Sequence, residues 1–296
     1  METISGDRLW QWRKWAGQLA SAENIPSTEI DWVLRHYIPE LDALALRLET
    51  YRGASSLQSH CSLDELTRLW ERRVGDRTPV QHLTGMTPWR NFSLHVSPAV
   101  LIPRPETELI IDIAVEATRH HPELRTGIWV DMGTGSGAIA LGLADVFPDA
   151  TIHAVDASTD ALAIARKNAD ACGMGDRIQF HHGNWFEPIH HLQGQLSGMV
   201  SNPPYIPSQE VQRLQPEVAR HEPHLALDGG TDGLDSIRYL AKVAPRYLKP
   251  GGLWLIEMMA GQAESVISIL KEHPFREACV HPDLSGIHRF GMAYRD

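Results

Sequence analysis

The sequence predicts an α/β protein in which a doubly wound, Rossmann-like sheet with an antiparallel edge follows a small helical bundle. Short apolar segments at residues 128–132, 151–155 and 196–200 alternate with helical patterns over the last two-thirds of the chain. This alternation is typical of a parallel sheet with helical crossovers. Residues 279–294 hold two further strand patterns, close enough in sequence to form an antiparallel pair.

Three regions follow from these patterns. We assign residues 1–76 to a helical domain, residues 77–100 to a hairpin linker and residues 101–296 to the sheet domain. A chain of 296 residues with 43% hydrophobic content can bury two cores of unequal size. No internal repeat or low-complexity stretch interrupts this division.

Composition limits the possible partners. The net charge of -10, from 37 acidic and 27 basic residues, argues against a non-specific grip on a nucleic-acid backbone. The cysteines Cys61, Cys172 and Cys279 are odd in number and widely spaced, which favours a reducing, cytoplasmic compartment. The histidines lack the helical spacing of a zinc site, so we expect no metal. No apolar run is suited to a signal peptide or a membrane span, so we expect no membrane partner.

The helical domain begins with a tryptophan-rich segment. Trp10, Trp12 and Trp15 lie among apolar residues at helical spacing, which is more typical of a bundle core than of a cofactor site. Ser62 and Glu65 form the pattern of a capping box at the start of a later helix. This domain carries no candidate catalytic cluster, so we expect it to recognise a substrate rather than to carry chemistry.

The linker and the segment after it are extended at first. Alternating Phe92, Leu94 and Val96 predict a short hairpin within residues 77–100. Residues that precede a proline are pushed out of the α region, so residues 101–104 start extended. Pro105 can then open a helix, because its missing N–H is unpaired in the first turn anyway.

A nucleoside-binding unit is predicted where a glycine-rich loop follows the strand at residues 128–132. The loop consists of Gly133, Thr134, Gly135, Ser136 and Gly137, and a helix begins at once. The next strand ends in Asp156, about twenty residues beyond the glycines, as ribose binding requires. Glycines admit a ligand where a side chain would clash, and the Asp156 carboxylate can accept hydrogen bonds from a ribose diol.

The spacing of this loop indicates which cofactor it binds. Gly-x-Gly-x-Gly differs from the Gly-x-Gly-x-x-Gly of dinucleotide binders, and no phosphate-binding lysine follows it. We therefore predict S-adenosyl-L-methionine, which has no phosphate to cradle. After the third strand, at residues 177–181, Asn184 and Trp185 could pair with and stack on its adenine. Spacing alone equally favours Trp185 as a partly buried core aromatic.

The chemistry is predicted at Asn202-Pro203-Pro204-Tyr205, after the strand at residues 196–200. Two prolines end that strand and make the loop rigid at its carboxyl end, where open α/β sheets bind ligands. The Asn202 oxygen and the Pro203 carbonyl can accept the two hydrogens of a planar NH2 group, and Tyr205 can lie against its plane. A strand-ending turn without function is the alternative that this loop alone leaves open.

The remaining elements complete the sheet. Residues 225–234 read as a glycine-rich loop that enters a helix. A strand at residues 253–258 is predicted to follow a turn at Pro250-Gly251-Gly252. The antiparallel pair at residues 279–294 then closes the edge.

Taken together, these motifs resemble the protein glutamine N5-methyltransferases that modify peptide chain release factors, over nearly the whole chain. The motifs that match are Asp131 to Gly137, Asn202 to Tyr205, Arg73 with Pro79 and Gly85, Leu101 to Glu108, Gly229-Gly230-x-Asp232-Gly233-Leu234, and Asp283 with Gly286 and Arg289. The Asn-Pro-Pro-Tyr loop is shared with adenine and cytosine amino-methyltransferases, whereas Leu101 to Glu108 is much more restricted.

Some positions depart from the family pattern. His82 stands where tyrosine is usual, and Met258 and Met259 stand where small residues are usual. Asn184 stands where aspartate is frequent, which weakens its assignment to adenine but leaves that of Trp185 intact.

The resemblance implies methyl transfer from S-adenosyl-L-methionine to the glutamine of the Gly-Gly-Gln loop of bacterial release factors. Asn202, Pro203 and Tyr205 would be catalytic, Pro204 would complete the substrate loop, and Asn202 would also reach the methyl end of the cofactor. The alternatives are methylation of a ribosomal-protein glutamine or of a nucleic-acid amino group, and a silent cofactor-binding adaptor. A base-modifying enzyme would be expected to carry a basic recognition domain, which the acidic balance does not suggest.

Overall fold

The computed structural model describes residues 1–296 in two compact units. The first comprises Met1–Gly85 together with Pro216–His221, and the second comprises Met86–Gln215 together with Glu222–Asp296. Each unit has its own hydrophobic core. None of the helices is both long and apolar enough to cross a membrane.

The first unit is mainly helical. Its helices are α1 (Gly6–Ala22), α2 (Thr28–Tyr37), α3 (Ala43–Leu48), α4 (Leu63–Gly75), α5 (Val80–Thr84) and α11 (Pro216–Ala219), and its strands are β1 (Glu2–Ile4) and β2 (Leu57–Ser59). The strands pair antiparallel in a ribbon that the sequence did not predict. Strands of three residues are too short to show a period of two.

Tryptophans form much of the core of this unit. Trp12 and Trp70 are buried, and Trp10 and Trp15 pack at its margin. The Trp70 indole donates to the backbone oxygen of Ala16 at 3.1 Å, which satisfies its polar atom inside the core. The interpretation of the aromatic stripe as core is confirmed. The capping box of Ser62 and Glu65 is also present at the start of α4.

The segment at residues 77–100 differs from the predicted hairpin in its first part. Val80–Thr84 forms a short helix, and the hairpin is confined to β3 (Met86–Trp89) and β4 (Phe92–His95). Pro79 precedes the first turn of the helix, and Gly85 ends it with a φ of 69°. A proline before the first turn and a left-handed glycine after the last are helix boundaries, but on so short a segment the same residues are equally typical of a loop.

The second unit is a seven-stranded sheet with helices. Its further strands are β5 (Ile128–Met132), β6 (Thr151–Asp156), β7 (Ile178–His182), β8 (Leu196–Ser201), β9 (Leu248–Glu257), β10 (Phe275–Pro282) and β11 (His288–Arg295). Its helices are α6 (Leu109–Ala117), α7 (Pro122–Arg125), α8 (Ala138–Val146), α9 (Thr159–Ala171), α10 (Ser208–Val211), α12 (Asp235–Val243) and α13 (Ala263–Lys271).

The strand order is β10-β11-β9-β8-β5-β6-β7, parallel from β9 to β7 and antiparallel at β11 and β10. The predicted doubly wound sheet with an antiparallel edge is therefore confirmed. Residues from α6, α8 and α9 form one apolar cluster with the sheet, and residues from α12 and α13 form another. The carboxyl ends of β5, β6 and β8 meet at one edge, where the predicted site loops emerge.

The predicted turn at Pro250-Gly251-Gly252 lies inside β9 instead. The pairing with β8 shifts between Leu196–Leu248 and Gly198–Leu253, so the glycines form an irregular insertion in a continuous strand. Gly251 has a φ of 75°, and a Cβ on Gly252 would lie 2.9 Å from the backbone oxygen of Leu196. Glycines in a bulge and glycines in a turn give the same sequence signal.

Candidate functional site

A cavity of about 280 Å³ lies at the carboxyl ends of the parallel strands. All the residues that line it belong to the second unit. They include most of the predicted site: Gly133, Thr134, Gly135, Ser136, Asp156, Asn184, Trp185, Asn202 and Pro204. No lysine or arginine is among them, so the cavity has no cationic side chain for a phosphate.

The glycine loop shapes the floor of this cavity. The N–H groups of Gly133 and Thr134 both donate to the backbone oxygen of Val155, at 2.9 and 3.0 Å. Gly133 and Gly135 have φ values of 74° and 54°, a left-handed conformation that side chains disfavour. Gly137, predicted as a cofactor ligand, does not line the cavity; it is the N-cap residue of α8 and packs against Ala165.

Asp131 anchors the start of the loop. Its Oδ2 accepts hydrogen bonds from the Thr134 hydroxyl at 2.6 Å and from the Ala140 N–H at 3.1 Å. Burial raises the pKa of this carboxyl to about 7. Because the Thr134 hydroxyl is engaged by Asp131, it serves the shape of the loop rather than a ligand.

Asp156 lies at the end of β6 and faces the cavity. Its two oxygens accept one backbone N–H each, from Gly135 at 2.8 Å and from Ser158 at 2.9 Å. Burial raises the pKa of this carboxyl, and the bonds from backbone N–H groups act in the opposite sense. A carboxylate has about four acceptor sites, so it can still accept two hydroxyl groups.

Trp185 is a partly buried core aromatic, one of the two interpretations that its sequence position left open, and it also lines the cavity. It lines the cavity beside Gly133, and it also packs against the apolar cluster under α12 and α13. Its φ of 49° is unusual for a bulky side chain, and such strained residues are concentrated at functional sites. Asn184 is exposed and lies at the rim of the same cavity.

The Asn-Pro-Pro-Tyr loop is divided between cavity and core. Asn202 and Pro204 line the cavity, whereas Pro203 is buried and Tyr205 is half-buried, and neither of them belongs to the lining. The Ser201 hydroxyl donates to the backbone oxygen of Met132 at 2.6 Å, which ties the ends of β8 and β5 together. The loop and the glycine loop therefore leave adjacent strands at the same level.

Tyr205 is held by contacts far away in the chain. Its hydroxyl donates to Glu257 Oε1 at 3.2 Å, and its backbone oxygen accepts from Gln262 Nε2 at 3.1 Å. Burial and the neighbouring Glu257 carboxylate raise the pKa of the Tyr205 hydroxyl, so that it remains a donor. Gln262 donates also to the backbone oxygen of Gly233 at 3.3 Å and thus joins two loops.

The later glycine-rich loop packs directly on Tyr205. A Cβ on Gly229 would lie 2.8 Å from Tyr205 Cα, and a Cβ on Gly233 would lie 2.2 Å from the Tyr205 oxygen. Both distances are too short for real contacts. Gly229 and Gly233 of the motif are thereby explained as close backbone packing that supports the Asn-Pro-Pro-Tyr loop.

Two buried polar residues of the site were missed by sequence reasoning. Glu257 ends β9 and is 2% exposed, and Thr107 is 4% exposed. The Thr107 hydroxyl donates to Glu257 Oε2 at 2.6 Å, and Asn202 Nδ2 donates to Thr107 Oγ1 at 3.3 Å. One signal could have revealed Glu257. It is an acid that ends an apolar strand at the same sheet edge as Asn202.

Ion pairs surround this network. Arg104 Nη2 donates to both oxygens of Glu222, at 2.7 and 2.8 Å. Arg289 Nε donates to Asp283 Oδ2 at 2.7 Å, and its charge also acts on Glu257. Burial raises the pKa of Glu257, whereas the bonds from Thr107 and Tyr205 and the charge of Arg289 lower it in part.

Comparison with known proteins shows that this chain is similar to methyltransferases. Residues 111–276 match the family model of the methyltransferase small domain. A release factor glutamine methyltransferase of Synechocystis sp. is 51% identical over 293 residues, which cover 98% of this chain and 97% of that protein. One of Thermosynechococcus vestitus is 45% identical over 295 residues, which cover 98% and 99%.

Among solved structures, the hMettl16 catalytic domain in complex with MAT2A 3'UTR hairpin 6 is similar in fold. It superposes with a TM-score of 0.55 at 12% identity and covers 94% of this chain and 91% of that one. At this identity the likeness concerns the fold alone.

Proposed function

Because the chain belongs to the release factor glutamine methyltransferase family, we propose that it transfers a methyl group from S-adenosyl-L-methionine to a protein glutamine. The acceptor would be the side-chain nitrogen of the glutamine in the Gly-Gly-Gln loop of a bacterial peptide chain release factor. One observation carries this proposal. Asn202 of the Asn-Pro-Pro-Tyr loop lines the same cavity as Asp156 and the glycine loop.

The residues around the cavity fit S-adenosyl-L-methionine. The Asp156 carboxylate, held by two N–H groups, would accept the ribose hydroxyls, and Trp185 would stack on the adenine. Gly133 and Gly135 would let the ligand approach the backbone. The absence of lysine and arginine from the lining suits a cofactor without phosphate. When bound, the cofactor supplies an electrophilic methyl group.

The acceptor amide needs help because its nitrogen lone pair is delocalised into its carbonyl. The Asn202 Oδ1 and the Pro203 carbonyl would accept the two hydrogens of the NH2 group and aim the lone pair at the methyl group. This arrangement is catalysis by positioning, together with stabilisation of the positive charge that develops on nitrogen. The nitrogen would form its bond to the methyl carbon as the bond from that carbon to the sulfonium sulfur breaks and leaves its electron pair on sulfur. The nitrogen would then lose one proton to water.

The helical unit has a separate part in this proposal. It contributes no residue to the cavity lining, and its tryptophans are used in its own core. We assign it to recognition of the intact acceptor protein. This assignment leaves the chemistry to the second unit.

The experiment is incubation of the purified protein with methyl-labelled S-adenosyl-L-methionine and a bacterial release factor, followed by mass spectrometric mapping. Label is expected on the Gly-Gly-Gln glutamine and is expected to be lost when that glutamine is replaced by alanine. Ribosomal proteins, RNA and DNA serve as parallel acceptors. Label on one of them, with none on the release factor, would contradict the proposal.

A further inference from the structure

A chain of buried polar side chains leads from the end of β9 to the cavity. Glu257 accepts from Thr107, and Thr107 in turn accepts from Asn202, at 2.6 and 3.3 Å. Glu257 and Thr107 are almost wholly buried, and the other oxygen of Glu257 accepts from Tyr205. Buried polar groups need hydrogen-bond partners, and here the side chains of Glu257, Thr107, Asn202 and Tyr205 serve as partners for one another.

The chemistry of these groups fixes the direction of each bond. In its ionised form, which the bonds from Thr107 and Tyr205 and the charge of Arg289 favour against burial, Glu257 only accepts hydrogen bonds and so takes the single hydroxyl hydrogen of Thr107. The Thr107 oxygen then has no hydrogen left and can only accept. Asn202 must therefore turn its NH2 group towards Thr107, which leaves Oδ1 as the free end of its amide.

We propose that Glu257 and Thr107 are positioning residues that orient the Asn202 amide so that its oxygen faces the acceptor. This inference rests on the proposed function, because an oxygen at that place is needed only if Asn202 accepts a hydrogen from the NH2 group of the methyl acceptor. A flipped amide would present its own NH2 group to the substrate NH2 group. Two donors would then face each other, and the acceptor amide would lose one of its two anchors.

The arrangement explains two features that packing alone does not. An acid stands at the end of an otherwise apolar strand and is 2% exposed, where burial raises its pKa and costs free energy. Thr107 lies in the Leu101 to Glu108 segment, distant in sequence from both of its partners. A valine would fill the same space and would avoid the polar partners.

The first experiment compares Thr107→Val with Thr107→Ser by steady-state kinetics on a release factor and by calorimetry with S-adenosyl-L-methionine. Thr107→Val is expected to lower kcat about 10- to 100-fold, as when a preorganised contact to a transition state is lost. The cofactor dissociation constant is expected to change less than about threefold, a shift of under about 1 kcal/mol. Thr107→Ser retains the hydroxyl and is expected to restore most of kcat.

Thr118→Val is the matched control. Thr118 is also fully buried in the second unit, and its hydroxyl donates to the backbone oxygen of Ala114 at 2.8 Å, in α6. Its replacement removes a buried hydroxyl without touching the site, so kcat is expected to remain near that of the unmodified protein. An equal loss of kcat in Thr118→Val and Thr107→Val would show that the effect is structural and would overturn the inference.

A second pair of variants tests Glu257, the carboxylate that accepts the hydrogen bond from Thr107. Glu257→Gln keeps an oxygen that can accept the Thr107 hydrogen and is expected to retain most activity. Glu257→Met has a similar length but no such oxygen, so Thr107 would donate to Asn202 instead, and kcat is expected to fall as in Thr107→Val. Equal activity of Glu257→Met and the unmodified protein would refute the orientation mechanism.

The two proposals fail separately. If the unmodified protein places no label on a glutamine, the proposed function is wrong. If it does, and Thr107→Val retains kcat within about twofold, a difference of about 0.4 kcal/mol, only the positioning role is wrong.

Discussion

Replacement of Asp156 by alanine gives a quantitative test of the proposed cofactor site. The side chain would lose its bonds to both ribose hydroxyls, and each hydrogen bond to a charged group contributes about 1.5–3 kcal/mol. The N–H groups of Gly135 and Ser158, which donate to Asp156 at 2.8 and 2.9 Å, would lose their partner as well. We expect the dissociation constant of S-adenosyl-L-methionine to rise at least about 100-fold, since about 2.8 kcal/mol corresponds to that factor.

The assay is titration calorimetry, with thermal unfolding measured alongside. Asp156→Asn keeps the shape and one acceptor oxygen, so an intermediate loss of about tenfold is expected, or about 1.4 kcal/mol. Asp149→Ala is the control, because Asp149 is exposed and precedes the opposite end of the same strand. Cofactor affinity in Asp156→Ala within about threefold of the Asp149→Ala value, or under about 1 kcal/mol, would remove Asp156 from the ribose site.

Four further outcomes are expected. Asn202→Ala should lower kcat about 100-fold with little change in cofactor affinity, because one acceptor for the substrate amide is lost; unchanged turnover would contradict the mechanism. Gly233→Ala should lower kcat by displacing Tyr205, whereas Gly261→Ala, with a φ of 92° but no atom near its Cβ, should not. Burial and the facing histidines lower the pKa of His153 to about 4. The unfolded chain binds a proton at this residue below about pH 6.5, whereas the folded protein does not, so stability decreases as the pH falls. Urea unfolding should show the free energy of unfolding decrease by at most about 2 kcal/mol between pH 7 and pH 5, and by less in His153→Gln. Protein lacking residues 1–76 should bind cofactor yet methylate a release factor at least about tenfold less efficiently, a loss of about 1.4 kcal/mol, and equal efficiency would refute the recognition role.

Local sequence patterns predicted the sheet well because its strands are marked by their own residues. The strands β5, β6 and β8 are short, largely apolar runs, and β7 alternates apolar Ile178 and Phe180 with polar residues. Each of the four lies within one or two residues of its predicted position. The predicted loops at Gly133 and Asn202 line one cavity, because parallel neighbours end at the same edge.

Features that depend on distant partners could not be predicted in this way. Pro216–His221 belongs with the helical unit although the chain on both sides belongs to the other. Arg73 donates to Glu29 and, at 3.0 Å, to Glu217, so its buried guanidinium pairs with a residue 144 positions further along the chain. No periodicity or turn signal records a pairing of that range.

The same limit applies to the site: the sequence motif shows which side chains are present but not the direction in which their polar groups point. The residues Asn202 to Tyr205 show by themselves a rigid loop with two acceptors and an aromatic ring. Which end of the Asn202 amide faces outward depends on Thr107, 95 residues earlier, and the hydroxyl of Tyr205 is directed by Glu257, 52 residues later. A motif can therefore predict which groups a site contains, whereas their direction is set by buried partners that other strands supply. Variants of those partners, with the motif left intact, are the means to measure what orientation contributes to turnover.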